Sequence, residues 1–65
     1  MKNYFMHNLK QFRKEWNITQ KQLADALHTT VKTISHWETG YTEPSIDQIL
    51  ELAEFFKVSL ENLLT

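Results

Sequence analysis

The segment from Thr19 to Gly40 (TQKQLADALHTTVKTISHWETG) constrains the fold most, because it has the pattern of two short helices joined by a tight turn. The Thr19 hydroxyl is suited to cap a helix, and Gln22 three residues later completes a reciprocal capping box. Leu23 and Leu27 lie four residues apart and form a narrow apolar stripe. These residues predict a short helix that follows Thr19 and loses its apolar stripe after Leu27.

A second helix follows almost at once. Thr30 is a cap signal, and Ile34 and Trp37 lie three residues apart on one face. Gly40 is able to adopt the left-handed conformation that closes many helices. About three residues separate the two helices, which favours a sharp crossing over a helical hairpin. The segment is therefore a candidate DNA-reading element.

The residues in and around this segment form a longer pattern. It comprises Ile18, Thr19, Gln20, Leu23, Ala24, Leu27, Thr33, Ile34, Trp37, Glu38, Gly40 and Pro44. This pattern resembles the helix-turn-helix of the lambda-repressor/Cro (XRE-like) family, and the RKE at 13–15 and the tail at 44–64 resemble the family's first helix and its last two. His28 departs from the pattern, because the family usually carries glycine in this turn; histidine tolerates positive φ at some strain.

Length and composition predict one small domain, residues 1–65, with the motif at about 19–40. A chain this short buries only about 60% of its unfolded surface, so nearly every large apolar residue should be needed in the core. We expect no separate domain for a small-molecule effector. The chain has no cysteine, and its N-terminal apolar run is too short for a signal peptide or a membrane span. We therefore expect a cytoplasmic protein.

The hydrophobic spacing predicts an all-α fold, a compact bundle of five short helices. We expect the first helix at about Met6 to Trp16, with Leu9 and Phe12 facing inward and Asn17 as a left-handed stop.

The last two helices are predicted from their caps. Ser45 should begin the fourth helix and Ser59 the fifth. The expected inward residues are Ile46, Ile49, Leu50, Ala53 and Phe56 on the fourth helix, and Leu60 and Leu63 on the fifth.

The net charge of −1 hides an uneven distribution. Residues 1–37 hold a balance of +4, from Lys2, Lys10, Arg13, Lys14, Lys21 and Lys32 against Glu15 and Asp25. Residues 38–65 hold a balance of −5, from Lys57 against Glu38, Glu43, Asp47, Glu51, Glu54 and Glu61. We expect a polarised molecule whose first three helices face DNA. The alternative is that both sets are only solubilising charge.

The exposed side of the third helix is the predicted reading surface. Because Ile34 and Trp37 point inward, the residues near the helix start and the one just before Trp37 should point outward, toward base edges in the major groove. The resemblance implies base contacts at Val31, Lys32, Thr33 and His36. Lysine donates well to guanine O6 and N7, and valine packs on a thymine methyl. The alternative for His36 is a simply exposed polar side chain.

Further residues are predicted to contact phosphates: Gln20, Thr30, Lys10, Lys14, Lys21 and Tyr41. The resemblance implies that Gln20 touches the DNA backbone and braces the third helix. The alternative for Gln20 is that it is only a polar residue at the start of a helix. Thr30 has the alternative role of a cap alone, and Tyr41 that of packing alone.

Arg13 and Glu38 are assigned a structural role. The resemblance implies a shielded salt bridge that joins the first helix to the end of the third. A guanidinium fork on a carboxylate is a strong, oriented contact.

We expect no enzyme, no metal site and no cofactor. His7, His28 and His36 lack a close paired spacing and have no cysteine partners. Ser35 and His36 are adjacent in a helix and point about 100° apart, so they do not form a catalytic pair.

Aromatic residues exceed what one small core is expected to bury: Tyr4, Phe5, Trp16 and Phe55. Some of them are predicted to form a self-association patch. The dimer candidates are Leu63, Leu64 and Phe55. In the alternative interpretation, Trp16 and Phe55 close the ends of the core.

Together these features predict a sequence-specific DNA-binding transcriptional regulator. We expect a repressor that binds an inverted-repeat operator on double-stranded DNA as a homodimer, with the third helix in the major groove. An antitoxin or phage-type switch protein with a protein partner is the nearest alternative. The other is a protein-interaction module that uses the acidic or aromatic surface instead of DNA.

Overall fold

The computed structural model describes residues 4–65, and this part of the chain contains five helices and no strand. The helices are α1 (Tyr4–Glu15), α2 (Gln20–Ala26), α3 (Val31–Thr39), α4 (Ile46–Phe56) and α5 (Leu60–Leu64). The predicted all-α fold of five short helices is confirmed. Lys2, counted above in the basic half, lies outside the described residues. None of the described helices has the length and apolar character needed to cross a membrane.

The starts of four helices are fixed by side-chain caps. The hydroxyls of Thr19, Thr30, Ser45 and Ser59 each accept a hydrogen bond from the backbone N–H three residues later. Thr19 also forms the predicted capping box, in which its N–H donates to Gln22 Oε1 at 2.8 Å. Each cap satisfies a backbone donor that the helix itself leaves unpaired. The predicted caps are confirmed.

Four helix ends share one backbone geometry. Asn17, His28, Gly40 and Lys57 all lie in the left-handed region, with φ between 57° and 79°. After each of them, the next N–H donates to a carbonyl five residues back, as in Tyr41 to His36 at 2.9 Å. This is the Schellman pattern that satisfies the last carbonyls of a helix. The left-handed conformations predicted for Asn17, His28 and Gly40 are confirmed.

The core is formed around five fully buried side chains: Leu9, Leu23, Ile34, Leu52 and Leu63. Helix α1 packs against both α3 and α5, α2 packs against α3, and α4 packs against α5. Helix α3 is therefore supported on one side by α1 and on another by α2. This support fixes the direction of the predicted reading surface.

The inward face of α4 differs from the prediction. Ile46 is 74% exposed and Leu50 is 47% exposed, whereas Leu52 is fully buried. Ile49, Ala53 and Phe56 do pack in the core as predicted. A buried face through Ile46 and Leu50 and one through Leu52 both have helical spacing. The neighbouring helices cover the side of α4 that carries Leu52. Ile46 and Leu50 are thus surface residues.

The aromatic residues are also placed differently. Phe5 is buried in the core, so it is not available to the predicted self-association patch. The Trp16 ring lies 5.4 Å from the Phe55 ring and 5.3 Å from the Phe56 ring between centroids. Phe55 packs against the core and Trp16 remains partly exposed, so together they close one end of it.

The fifth helix corrects one dimer candidate. Leu63 is fully buried in the chain's own core, so it has no surface to offer a second copy. Leu64 and Phe55 are half-buried and retain some accessible area. Leu60, predicted to face inward, is partly exposed.

Candidate nucleic-acid interface

The start of α3 presents side chains to solvent. Val31 is 42% exposed, Lys32 is exposed and Thr33 is half-buried. Ile34 and Trp37 on the other side of the helix are buried. Because the buried pair fixes the rotation of the helix, the first turn is left free to approach a ligand.

Thr30 and Thr33 share a hydrogen bond between their hydroxyls at 3.0 Å. The Thr30 hydroxyl also accepts the backbone N–H of Thr33 at 3.1 Å. Either hydroxyl has the geometry to donate to the other, so one of the two protons stays available to an outside acceptor. The cap of α3 therefore also orients one of the predicted base-contacting side chains.

His36 and Tyr41 lie at the other end of α3. Their ring centroids are 4.7 Å apart with an interplanar angle of 53°. His36 is half-buried while Tyr41 is 77% exposed. The contact restricts the His36 ring and leaves most of the Tyr41 side chain accessible.

Glu38 connects three helices through its carboxylate. Arg13 of α1 donates to it from Nε at 2.7 Å and from Nη2 at 3.1 Å, and Gln20 of α2 donates from Nε2 at 3.0 Å. The Glu38 side chain is only 3% exposed and that of Arg13 is 13% exposed. Arg13 Nη1 also donates to the Ile18 carbonyl at 3.0 Å. A buried carboxylate with three donors holds the end of α3 in a fixed position.

Gln20 is tied to this cluster by one of its two side-chain N–H groups. A primary amide carries two donors, and the bond to Glu38 uses one of them. The structure thus gives Gln20 the bracing contact and leaves a second N–H with no protein acceptor among the described residues.

The lysines predicted to meet phosphates all have exposed side chains. Lys10 and Lys14 line one open depression on α1 together with His7, Gln11 and Glu15. Lys21 forms a solvent-exposed ion pair with Asp25 at 3.6 Å, a contact of the kind that contributes little stability. Their ammonium groups therefore remain accessible to a polyanion.

Within residues 4–65, no group of three histidine, aspartate or glutamate side chains is arranged to hold a metal ion.

Comparison with known proteins identifies this arrangement. The family described as "Helix-turn-helix" matches residues 9–63. The chain belongs to the Cro/C1-type helix-turn-helix family. Members of this family are DNA-binding transcriptional regulators, which are not enzymes, in agreement with the prediction.

Several curated relatives carry matching names. The chain is 36% identical over 61 residues to the HTH-type transcriptional activator BcrR of Enterococcus faecalis, covering 94% of this chain and 30% of that protein. It is 34% identical over 56 residues to the HTH-type transcriptional regulator ImmR of Bacillus subtilis, covering 86% and 44%. The chain thus spans less than half the length of either relative.

The fold of this chain also matches that of a solved structure. A transcriptional regulator from Listeria innocua superimposes with a TM-score of 0.87 at 30% sequence identity, covering 92% of this chain and 56% of that one. The two chains therefore share the helix-turn-helix fold.

Two contacts of the interface were not predicted from the sequence. They are the hydroxyl bond between Thr30 and Thr33 and the ring contact between His36 and Tyr41. A threonine three residues after a capping threonine is a usable signal for the first, because positions i and i+3 are neighbours on a helix. The second depends on the turn at Gly40, which folds Tyr41 back toward α3.

Proposed function

We propose that residues 1–65 form one sequence-specific DNA-binding domain that reads the major groove with α3. The observation that carries this proposal is the contrast between the two ends of α3. Its first turn exposes Val31 and Lys32, while Glu38 near its other end is buried and held by three hydrogen bonds. A reading element needs both free side chains and a rigid support.

The base contacts in this proposal come from Val31, Lys32, Thr33 and His36. Lys32 donates to guanine, and Val31 packs on a thymine methyl. His36 lies near the helix end and reaches the edge of the site.

The phosphate contacts come from Lys10, Lys14, Lys21, Thr30 and Tyr41, and from the second N–H of Gln20. Phosphate contacts set the position and orientation of the protein without reading sequence. Gln20 is suited to both tasks, because Glu38 fixes its amide.

The mode of regulation is proposed to be occupancy by a homodimer. Two copies would place their α3 helices in successive major grooves about 34 Å apart on an inverted repeat, and the bound dimer would block transcription. Phe55 and Leu64 retain accessible surface for such a dimer, whereas Leu63 does not.

Selection of bound duplexes from a random-sequence pool, at low and at near-physiological salt, tests the proposal. Enrichment of an inverted repeat would support a dimeric, sequence-specific regulator. Enrichment of a single half-site would support DNA reading by the monomer and overturn the homodimer. No enrichment at either salt would overturn sequence-specific binding by this chain and favour the protein-interaction alternative.

A reporter gene placed behind the enriched site separates repression from activation. Lower expression in the presence of the protein supports the repressor assignment, and higher expression overturns it.

A further inference from the structure

Helix α4 exposes two aliphatic side chains that the core does not need. Ile46 and Leu50 are one turn apart, 74% and 47% exposed. Positions i and i+4 lie on one side of a helix, so the two form a short apolar strip. The adjoining side of α4 already contributes Leu52, Ala53 and Phe56 to the core.

Three carboxylates lie beside this strip. Successive residues advance by about 100° around a helix, which places Glu54 next to Leu50 and then Asp47 and Glu51 further around. All three are exposed. In the part of the chain that the structure describes, the ion pairs join Arg13 to Glu38 and Lys21 to Asp25, so none involves α4. We call Ile46, Asp47, Leu50, Glu51 and Glu54 the α4 face.

The charges of the α4 face argue against two occupants. DNA is a polyanion and is repelled by these carboxylates. A second copy related by a two-fold axis would set the same patch against itself and bring like charges together. Only a partner with positive charge removes the apolar strip from water and gives the carboxylates a counter-charge.

We propose that the α4 face docks a cationic amphipathic helix of another protein, with aliphatic side chains against Ile46 and Leu50 and lysine or arginine beside Asp47, Glu51 and Glu54. The apolar strip is far smaller than the roughly 800 Å² that each partner buries in a stable complex. The contact is therefore weak, with a micromolar dissociation constant. This proposal goes beyond DNA binding and does not depend on it.

A labelled model peptide tests the proposal. It is a helix of about 18 residues, or five turns, with leucines at i, i+3 and i+4 spacing and lysines at the flanking positions. Titration with the full chain is followed by fluorescence anisotropy and by amide chemical shifts. We expect saturable binding, with the changes in amide chemical shift concentrated on α4. A peptide with serine in place of leucine should bind at least about tenfold more weakly, a free-energy difference of about 1.4 kcal/mol.

Two double variants of the α4 face separate the apolar and the ionic parts. Ile46→Gln with Leu50→Gln, and Glu51→Gln with Glu54→Gln, should each weaken binding by about tenfold. The control is Glu15→Gln with Glu61→Gln, which changes net charge equally through exposed side chains on other helices. Thermal unfolding shows whether each variant is folded. If the double variant Ile46→Gln with Leu50→Gln does not fold, Ile46→Gln alone replaces it, because that side chain is mostly exposed.

Equal loss in the control would overturn the proposal, because the peptide would then sense only net charge. Unchanged binding in both α4 variants would also overturn it. Sedimentation of the chain alone tests the competing occupant: a dimer that dissociates on Ile46→Gln with Leu50→Gln would assign the α4 face to a second copy.

Discussion

Glu38 accepts two hydrogen bonds from the Arg13 guanidinium, at 2.7 and 3.1 Å, in a site where only 3% of the Glu38 side chain is exposed. The same carboxylate accepts a third bond from Gln20 at 3.0 Å. One buried anion thereby joins α1, α2 and α3. The relative position of the two helices of the motif depends on this cluster as well as on apolar packing.

We expect Glu38→Ala to lower the free energy of unfolding by about 3 kcal/mol, because it leaves the Arg13 guanidinium shielded and without its carboxylate. Such a loss is a large share of the stability of a small domain. Urea unfolding followed by circular dichroism measures it. Base preference should change less than stability does.

The matched control for Glu38 is Asp25→Ala, which breaks the exposed ion pair with Lys21. Exposed pairs contribute about 0–1 kcal/mol. An unfolding midpoint for Glu38→Ala equal to that of Asp25→Ala would show that the buried cluster is not a main source of stability.

Thr30→Ala should lower stability by about 1 kcal/mol through loss of the α3 cap. It should also weaken binding to the selected DNA site, because the Thr33 hydroxyl loses its partner. Thr19→Ala removes the equivalent cap from α2 and serves as the control. Thr30→Ser retains the hydroxyl and should restore both properties. Equal affinity losses in the two alanine variants would argue that only the capping function matters.

Lys32→Gln and Lys14→Gln remove the same charge from two places. We expect Lys32→Gln to cost about 1–3 kcal/mol at its preferred base pair and to relax sequence preference there. Lys14→Gln should weaken binding to every DNA sequence by the same factor, because phosphates are alike in every site. Affinity measured against a panel of single-base operator variants distinguishes the two. If Lys32→Gln weakened binding to every operator variant by the same factor, Lys32 would be assigned to the phosphate contacts instead of the base contacts.

The salt dependence of DNA binding should be modest. The predicted phosphate contacts include only three lysines: Lys10, Lys14 and Lys21. With a slope near −0.9 per neutralised phosphate, the log–log plot of affinity against salt should fall with a slope of about −3 per monomer. Titrations between low and physiological salt measure it. A slope that requires ten or more phosphates per monomer would contradict the assigned surface.

The left-handed helix ends predict mutations of opposite sign. His28 has φ 57°, so His28→Gly should raise the free energy of unfolding by up to about 1 kcal/mol through relief of strain. Gly40 has φ 79°, and a Cβ there would lie 2.8 Å from Met6 Sδ. Gly40→Ala should therefore destabilise the fold by about 1 kcal/mol or more. Thermal unfolding of both variants checks the signs, and a destabilising His28→Gly would show that the histidine side chain has a stabilising role.

Local sequence determined where the helices begin and end. The capping hydroxyls of Thr19, Thr30, Ser45 and Ser59 act on backbone groups only three residues away, so the pattern predicts them without knowledge of the fold. The same holds for the left-handed stop at Gly40. Because these interactions are short in range, the five-helix fold and the position of the motif were predictable.

The rotation of α4 was decided by tertiary structure. The sequence permits a buried face through Ile46 and Leu50 or one through Leu52, and both share Ile49 and Ala53. The structure buries Leu52 fully and leaves Ile46 and Leu50 exposed. Periodicity fixes the spacing of an apolar face but not which edge of it the neighbouring helices cover.

The candidate site divides in the same way. Which side of α3 faces outward followed from Ile34 and Trp37, since buried residues three apart fix the rotation of a helix. The bond between Thr30 and Thr33 and the contact of His36 with Tyr41 emerged only in three dimensions, as did the exposure of Leu60. Sequence determines local backbone geometry through neighbouring residues, whereas side-chain partners and burial depend on how distant helices pack.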